Sequence, residues 1–409
     1  MRLLSLLSVA SIARSLWAQG SDTGSGPAGY DTSRIGPSNA ICTRETYYLD
    51  ITSDNYKFEN VMLNANETYL TKLLQEFVTS FPYQSNFTDM YAYGTETVAN
   101  TYALSGTLCL PKDGPVNITN IQLLIHGIGF DSSYWDFAPD GGDSYSYVYA
   151  AAAAGLATFR YDTLGTGLSA HPADAYNVVQ KPTDVAIAIR FAEMLRAGQI
   201  GARAYTKIVA VGHSYGSIQA QAVTALAPTA LDGVVLTAYS GNATALPLWW
   251  ASTAYSTASL IMPTRFSPEE LTNPYLVTLA PWTSQLNYLY FPYYADSIAA
   301  YARATEQPVT QGVLFTIANN ITAAPAFAGD VLVITGAQDW IFCYGNCYAV
   351  PPGSGYTNIP AGVAALYPAA REFDTYIPQN SGHNLFLQYS APETFQQIIQ
   401  FASGVFASW

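Results

Sequence analysis

The stretch Lys207-Ile208-Val209-Ala210-Val211-Gly212-His213-Ser214-Tyr215-Gly216-Ser217-Ile218 runs from a short apolar segment into a G-x-S-x-G and on into an Ala-rich helical pattern over 217–227. A strand that turns directly into a helix forces the residue at the apex into strained backbone geometry, and the positions two before and two after it have room only for minimal side chains. Gly212 and Gly216 meet that steric demand. Ser214 is thereby presented at the tip of the turn.

Working outward, 121–126, 156–161, 233–238, 331–335 and 372–377 read as short buried strands, with helices over 145–154, 185–197 and 392–406. Such alternation predicts an α/β fold, a mostly parallel central sheet wrapped by right-handed crossovers and flanked by helices. Upstream, 47–51 and 101–110 read as further strands, with a helix over 67–81 between them. The alternation stops over 241–327, where Trp249, Trp250, Trp282, Tyr288, Tyr290, Phe291, Tyr293 and Tyr294 crowd the sequence. A linker would not carry such apolar mass, so a helical insertion is expected.

A serine hydroxyl attacks poorly until a base takes its proton, and the chain has only four histidines. His213 neighbours Ser214 but points elsewhere on a sharp turn, His171 reads as a solvated loop residue, and His126 reads as neutral and packed under the loop that follows it. His383, in Ser381-Gly382-His383-Asn384 just past the last predicted strand, is assigned as the base. The base needs an acid that fixes its tautomer and stabilises the imidazolium. Asp339 closes Gly336-Ala337-Gln338-Asp339 after a buried strand, at the same sheet edge as Ser214, and is preferred to Asp162, whose carboxylate reads as capping the amides of its own turn.

The balance of 29 acidic against 16 basic residues gives a net charge of −13, which disfavours nucleic acid and anionic membranes as partners. With 50% hydrophobic and 11% charged residues the 409-residue chain is expected to fold around a sizeable core. Arg2 and the apolar run after it read as a signal peptide over 1–18, with cleavage after Ala13 or Ala18, followed by a flexible segment over 19–41. Sequons at Asn66, Asn86, Asn117, Asn242 and Asn320 agree with a secreted, glycosylated protein. Four cysteines in an oxidising compartment favour two disulfides over a metal site, and the economical pairing is Cys343 with Cys347 and Cys42 with Cys109. No metal is expected, because no histidine lies near the cysteines.

These motifs together resemble the α/β-hydrolase superfamily: the nucleophile elbow at Ser214, His126-Gly127 after the third core strand, D-x-x-G-x-G-x-S over 162–169, G-x-x-D over 336–339 and Gly382-His383. The resemblance covers about 121–409. It implies a core over 42–240 and 328–409 with the insertion over 241–327 as a cap after the sixth core strand, and an oxyanion hole formed by the backbone amides of Tyr215 and of Ile128 or Gly129. The sequence has His126-Gly127-Ile128-Gly129 where one lipase and esterase branch has HGGG. Signal, sequons and cysteines are similar to those of secreted hydrolases of filamentous fungi. A serine at the elbow implies acyl transfer without a cofactor, with a carboxylic ester of a largely apolar small molecule as first choice. The alternatives are a tailoring hydrolase of a fungal secondary-metabolite pathway, acting on an ester, lactone or thioester, and a catalytically silent adhesion or receptor protein on the same fold.

Overall fold

The computed structural model describes residues 34–59, 61–80, 91–114, 118–319 and 321–408. The expected signal peptide and residues 19–33 of the expected flexible segment lie outside the described residues, as do Asn86, Asn117 and Asn320; the far end of that segment is corrected, since Arg34 pairs with Asp136 and Asp143 and Ala40 opens the first strand. Eight strands form the central sheet: β1 (Ala40–Phe58), β2 (Ala92–Pro111), β3 (Asn120–Ile125), β4 (Ala157–Tyr161), β5 (Lys207–His213), β6 (Gly233–Thr237), β7 (Asp330–Ile334) and β8 (Phe373–Tyr376). Their spatial order is β1-β2-β4-β3-β5-β6-β7-β8. From β4 to β8 every pairing is parallel, and β1 and β2 add an antiparallel edge.

The apolar runs of the inner strands are buried on both faces because each face has its own helices. Leu123, Ile125, Ile208, Ala210, Val234, Leu236, Val331 and Val333 pack against α3 (Lys181–Arg196) and α4 (Tyr215–Leu226). The residues between them, Leu124, Val209, Val211, Val235, Leu332 and Ile334, face α2 (Tyr147–Ala153) and α11 (Ala391–Ala407). Two-residue alternation within continuously apolar strands is what a sheet covered on both sides requires.

β1 and β2 are 19 and 20 residues long and extend well beyond the predicted 47–51 and 101–110. The extra length is polar, and hydrogen bonding holds it. Ser53 and Asn55 point inward and bond Thr183, and Asn55 also donates to the carbonyls of Asn177 and Val178. Cys42 and Cys109 are register partners across this ribbon and are joined by a disulfide; the second disulfide links Cys343 and Cys347.

Between β6 and β7 lie α5 (Leu246–Thr253), α6 (Ala258–Ile261), α7 (Pro281–Tyr288), α8 (Asp296–Ala304) and α9 (Gln311–Thr316). Besides the expected helices the insertion carries a small antiparallel sheet of Ser256–Thr257, Tyr275–Val277 and Val309–Thr310. The insertion also packs on α1 (Glu67–Ser80), where Phe77 meets the Trp250 ring at 4.1 Å and the Glu67 carboxylate accepts the Thr257 amide at 2.9 Å. Among the described residues no helix is long and apolar enough to cross a membrane.

Candidate active site

Ser214 sits between β5 and α4 with φ 53° and ψ −113°, a conformation that costs a non-glycine residue about 1–3 kcal/mol. The glycines around it make the turn possible. A Cβ on Gly212 would lie 2.4 Å from the Gly216 carbonyl oxygen, and one on Gly216 would lie 2.0 Å from that of Ile125, so no other residue fits at either place. The Ser214 amide donates to the Thr237 carbonyl at 2.9 Å, which ties the apex to β6.

Asp339 follows β7 and caps α10 (Trp340–Cys343): its Oδ1 accepts the Phe342 amide at 3.1 Å. Its Oδ2 lies 2.8 Å from His383 Nδ1, and His383 Nε2 lies 2.7 Å from Ser214 Oγ. Asp339 and His383 are buried, while Ser214 keeps some exposure. The structure thus brings together the three side chains that the sequence singled out, from the carboxyl ends of β5, β7 and β8. Gly336 lets the last two loops touch, since a Cβ there would lie 2.3 Å from the Gly382 carbonyl oxygen. Phe342 stacks on the His383 ring at 5.8 Å.

Two residues that the sequence reasoning missed hold the His383 loop. Gln388 is fully buried; its Oε1 accepts the amides of Gly382 and Tyr290, both at 2.9 Å, and its Nε2 donates to the Asn384 carbonyl at 3.0 Å. The Asn384 amide donates to the Tyr288 carbonyl at 2.8 Å, and the Asn384 side chain meets His213 Nε2 at 3.2 Å. Nothing in the local sequence signals these contacts.

The other histidines are accounted for. Burial lowers the His126 pKa, and its ring is neutral: Nε2 accepts the Thr163 amide at 3.0 Å and Nδ1 donates to the Gly127 carbonyl at 2.9 Å. His213 is likewise pushed well below the ordinary histidine range by burial. It stacks on Tyr134 at 4.3 Å. The expectation of a solvated His171 is corrected: the residue is half-buried beside Tyr275, and burial pushes its pKa down to about 4. Asp162 accepts the amides of Ser132 and Leu168, both at 2.9 Å, and burial followed by the nearby Asp131 charge raises it to about 6.

His126-Gly127-Ile128-Gly129 lies against the elbow, because a Cβ on Gly127 would be 2.9 Å from the His213 carbonyl oxygen and 3.2 Å from Ser214 Cβ. Tyr215 opens α4 on the other side of the apex. Two cavities share Ile128 as a wall. One is lined by Phe130, Tyr288, Leu289 and Asn384 among others; the second by Leu164, Asp184, Tyr215 and Val313 among others. Among the described residues no group of three or more His, Cys, Asp or Glu side chains is placed to hold a metal ion.

Residues 122–397 match the family model described as the Alpha/beta hydrolase family. The chain belongs to that family. Structures similar to this one include a carboxylesterase of the ammonia-oxidizing thaumarchaeon Nitrososphaera gargenis, at 14% identity over 75% of this chain and 96% of that one, with a TM-score of 0.50. A putative non-heme bromoperoxidase from Mycobacterium tuberculosis is 19% identical over 74% of this chain and 96% of its own, with a TM-score of 0.48. No curated protein sequence matches the chain. At these identities the structural likeness is one of fold.

Proposed function

We propose that this α/β hydrolase is a secreted serine hydrolase that cleaves a carboxylic ester of a largely apolar small molecule, with Ser214 as nucleophile, His383 as base and Asp339 as the acid behind it. The observation that carries this reading is the continuous relay from Ser214 Oγ to His383 at 2.7 Å and on to Asp339 at 2.8 Å. His383 Nε2 takes the hydroxyl proton as Oγ attacks the ester carbonyl, and Asp339 holds Nδ1–H and stabilises the imidazolium. The oxyanion then faces the Tyr215 amide and that of Ile128 or Gly129. His383 returns its proton to the leaving alkoxide. Water, activated by the same imidazole, then hydrolyses the acyl-enzyme. This sequence of steps calls for no cofactor.

Residues 241–327 act in this reading as a cap on a core formed by 42–240 and 328–409. Support comes from contacts around the rim of the site: the Gln307 amide donates to the Gly129 carbonyl at 3.0 Å, and its side chain bonds Asp131 and the Gly167 amide. Secretion is supported by the two disulfides and by the exposed sequon at Asn66. Fluorophosphonate labelling and a panel of p-nitrophenyl esters on the secreted protein test the proposal. Native protein is expected to label and turn over, and Ser214→Ala to do neither while staying folded. An unlabelled native protein inert toward every ester would refute the assignment.

A further inference from the structure

The two disulfides stand in unlike places. Cys42–Cys109 joins the edge ribbon across a separation of 67 residues, whereas Cys343–Cys347 spans a separation of 4, just beyond Asp339. A cross-link stabilises a fold chiefly by restricting the unfolded chain, and that effect shrinks with the length of the loop it closes. Closing so short a loop adds little to global stability, so its consequence is local.

What it holds is the turn that carries the acid of the relay. α10 is four residues long, too short to persist by itself, and the chain leaves it through Tyr344 and Gly345, both at positive φ, 52° and 79°. Both cysteines are buried, and each donates its backbone amide back into the segment that ends in Asp339: Cys343 to the Asp339 carbonyl at 3.1 Å, Cys347 to the Ala337 carbonyl at 3.0 Å. The Gly345 amide, inside the disulfide ring, donates to the same Asp339 carbonyl at 3.2 Å. The bond makes one clamp of these contacts. Phe342, next to Cys343, belongs to the same turn: its amide reaches Asp339 Oδ1 and its ring stacks on His383. Asp339 Oδ2, the atom that meets His383 Nδ1, is thus aimed by a turn that the disulfide closes.

We propose, resting on the serine-hydrolase reading, that Cys343 and Cys347 are a positioning pair: their bond keeps the Asp339 carboxylate on His383, and its loss slows acyl transfer far more than it destabilises the fold. The Ser240 hydroxyl also ties the turn, donating to the Phe342 carbonyl at 2.9 Å, so the acid is loosened rather than released. A displacement of about 1 Å at a catalytic group costs around 10²-fold, which sets the expected loss at roughly tenfold to a hundredfold in kcat, with KM near its wild-type value.

Replacing Cys343→Ala together with Cys347→Ala removes the bond without burying new hydroxyls, and Cys343→Ser with Cys347→Ser is the second variant. Both are compared with the wild type and, separately, in an Asp339→Asn background, by Tm and by the fluorophosphonate labelling rate of the folded protein, with kcat and KM on a p-nitrophenyl ester. The alanine pair is expected to lower kcat and labelling as stated, with a small change in Tm. In the Asp339→Asn background it should slow labelling by less than about twofold, because the carboxylate that the bond positions is gone. A mere brace would slow both backgrounds equally, which would overturn the proposal. So would wild-type rates in the protein without the bond. If neither pair folded, the bond would be a requirement of folding and the proposal would fall. A wild-type protein that neither labels nor turns over any ester would instead remove the serine-hydrolase reading, and this inference with it.

Discussion

Replacing Gln388 by Met tests whether the His383 loop is held in place by hydrogen bonds from one buried side chain. Methionine has a similar volume and flexibility, so packing is largely kept while three hydrogen bonds go: those from the Gly382 and Tyr290 amides, both 2.9 Å, and the one to the Asn384 carbonyl, 3.0 Å. At about 1 kcal/mol net for each bond the loss is about 3 kcal/mol. With an unfolding entropy of roughly 2.1 cal/mol/K per residue over a chain of this length, Tm should fall by about 4 °C. Activity should fall further than stability suggests, because Gly382 and Asn384 flank His383 and a displacement of about 1 Å at a catalytic group costs around 10²-fold. The fluorophosphonate labelling rate of the folded protein, together with kcat/KM on a short p-nitrophenyl ester, measures that effect apart from any unfolded fraction. A variant that melts lower but labels at the wild-type rate would refute the reasoning, since the loop would then be rigid without Gln388.

Asp339→Asn should lower kcat/KM by about 10⁴-fold with little change in stability, as loss of the acid does in other serine triads, whereas Asp162→Asn, at a residue that caps the Ser132 and Leu168 amides, should act mainly on Tm; exchanged phenotypes would reverse the assignment. Asp184 has a folded pKa of about 7, raised chiefly by burial, so between pH 4 and 7 the native state binds more protons than the unfolded chain and this group's contribution to stability falls as pH rises. The depressed histidines pull the other way below pH 6.5, so the measurable quantity is a difference. Denaturant unfolding should find Asp184→Asn gaining stability relative to wild type between pH 5 and 8, by up to about 3 kcal/mol, and a constant offset would count against a raised Asp184. Removing the Cys42–Cys109 disulfide with paired serines should cost about 2–4 kcal/mol in the same assay without loss of kcat, because the bond lies on the edge ribbon and closes a 67-residue loop.

The sheet was readable because its inner strands are largely apolar on both faces and all but β6 end in a motif that the turn beyond requires. β1 and β2 were read short because their outer halves bury Ser53 and Asn55, and a polar residue facing inward does not look like strand until its partners Thr183, Asn177 and Val178 are known. The same distinction divides the site. Ser214, Asp339 and His383 are marked by glycine turns and strand ends, which are local. Asn384 works through contacts with Tyr288 and His213, and Gln388 joins the loop to Tyr290 as well as to its own neighbours, so neither period nor spacing marks them. His171 was misplaced for a similar reason: its own loop is polar, but Tyr275 of the insertion covers it, bonding the neighbouring Pro172 carbonyl at 2.8 Å.

The aromatic residues of the insertion raise the question of what they are for. Most of the tryptophan and phenylalanine mass is used in construction: Trp250 is 1% exposed between Phe77 and Phe315, at 4.1 and 5.5 Å, where it joins the insertion to α1. Trp249 stands one step from the site, since its Nε1 donates to the Tyr288 hydroxyl at 3.3 Å, and Tyr255 bonds that same hydroxyl at 2.8 Å. Tyr288 alone of this group lines the cavity beside Phe130 and Asn384 and lies near the His383 ring, at 5.9 Å, while its carbonyl holds the Asn384 amide. The aromatic core therefore acts on the chemistry through one residue, by fixing the wall against which His383 rests.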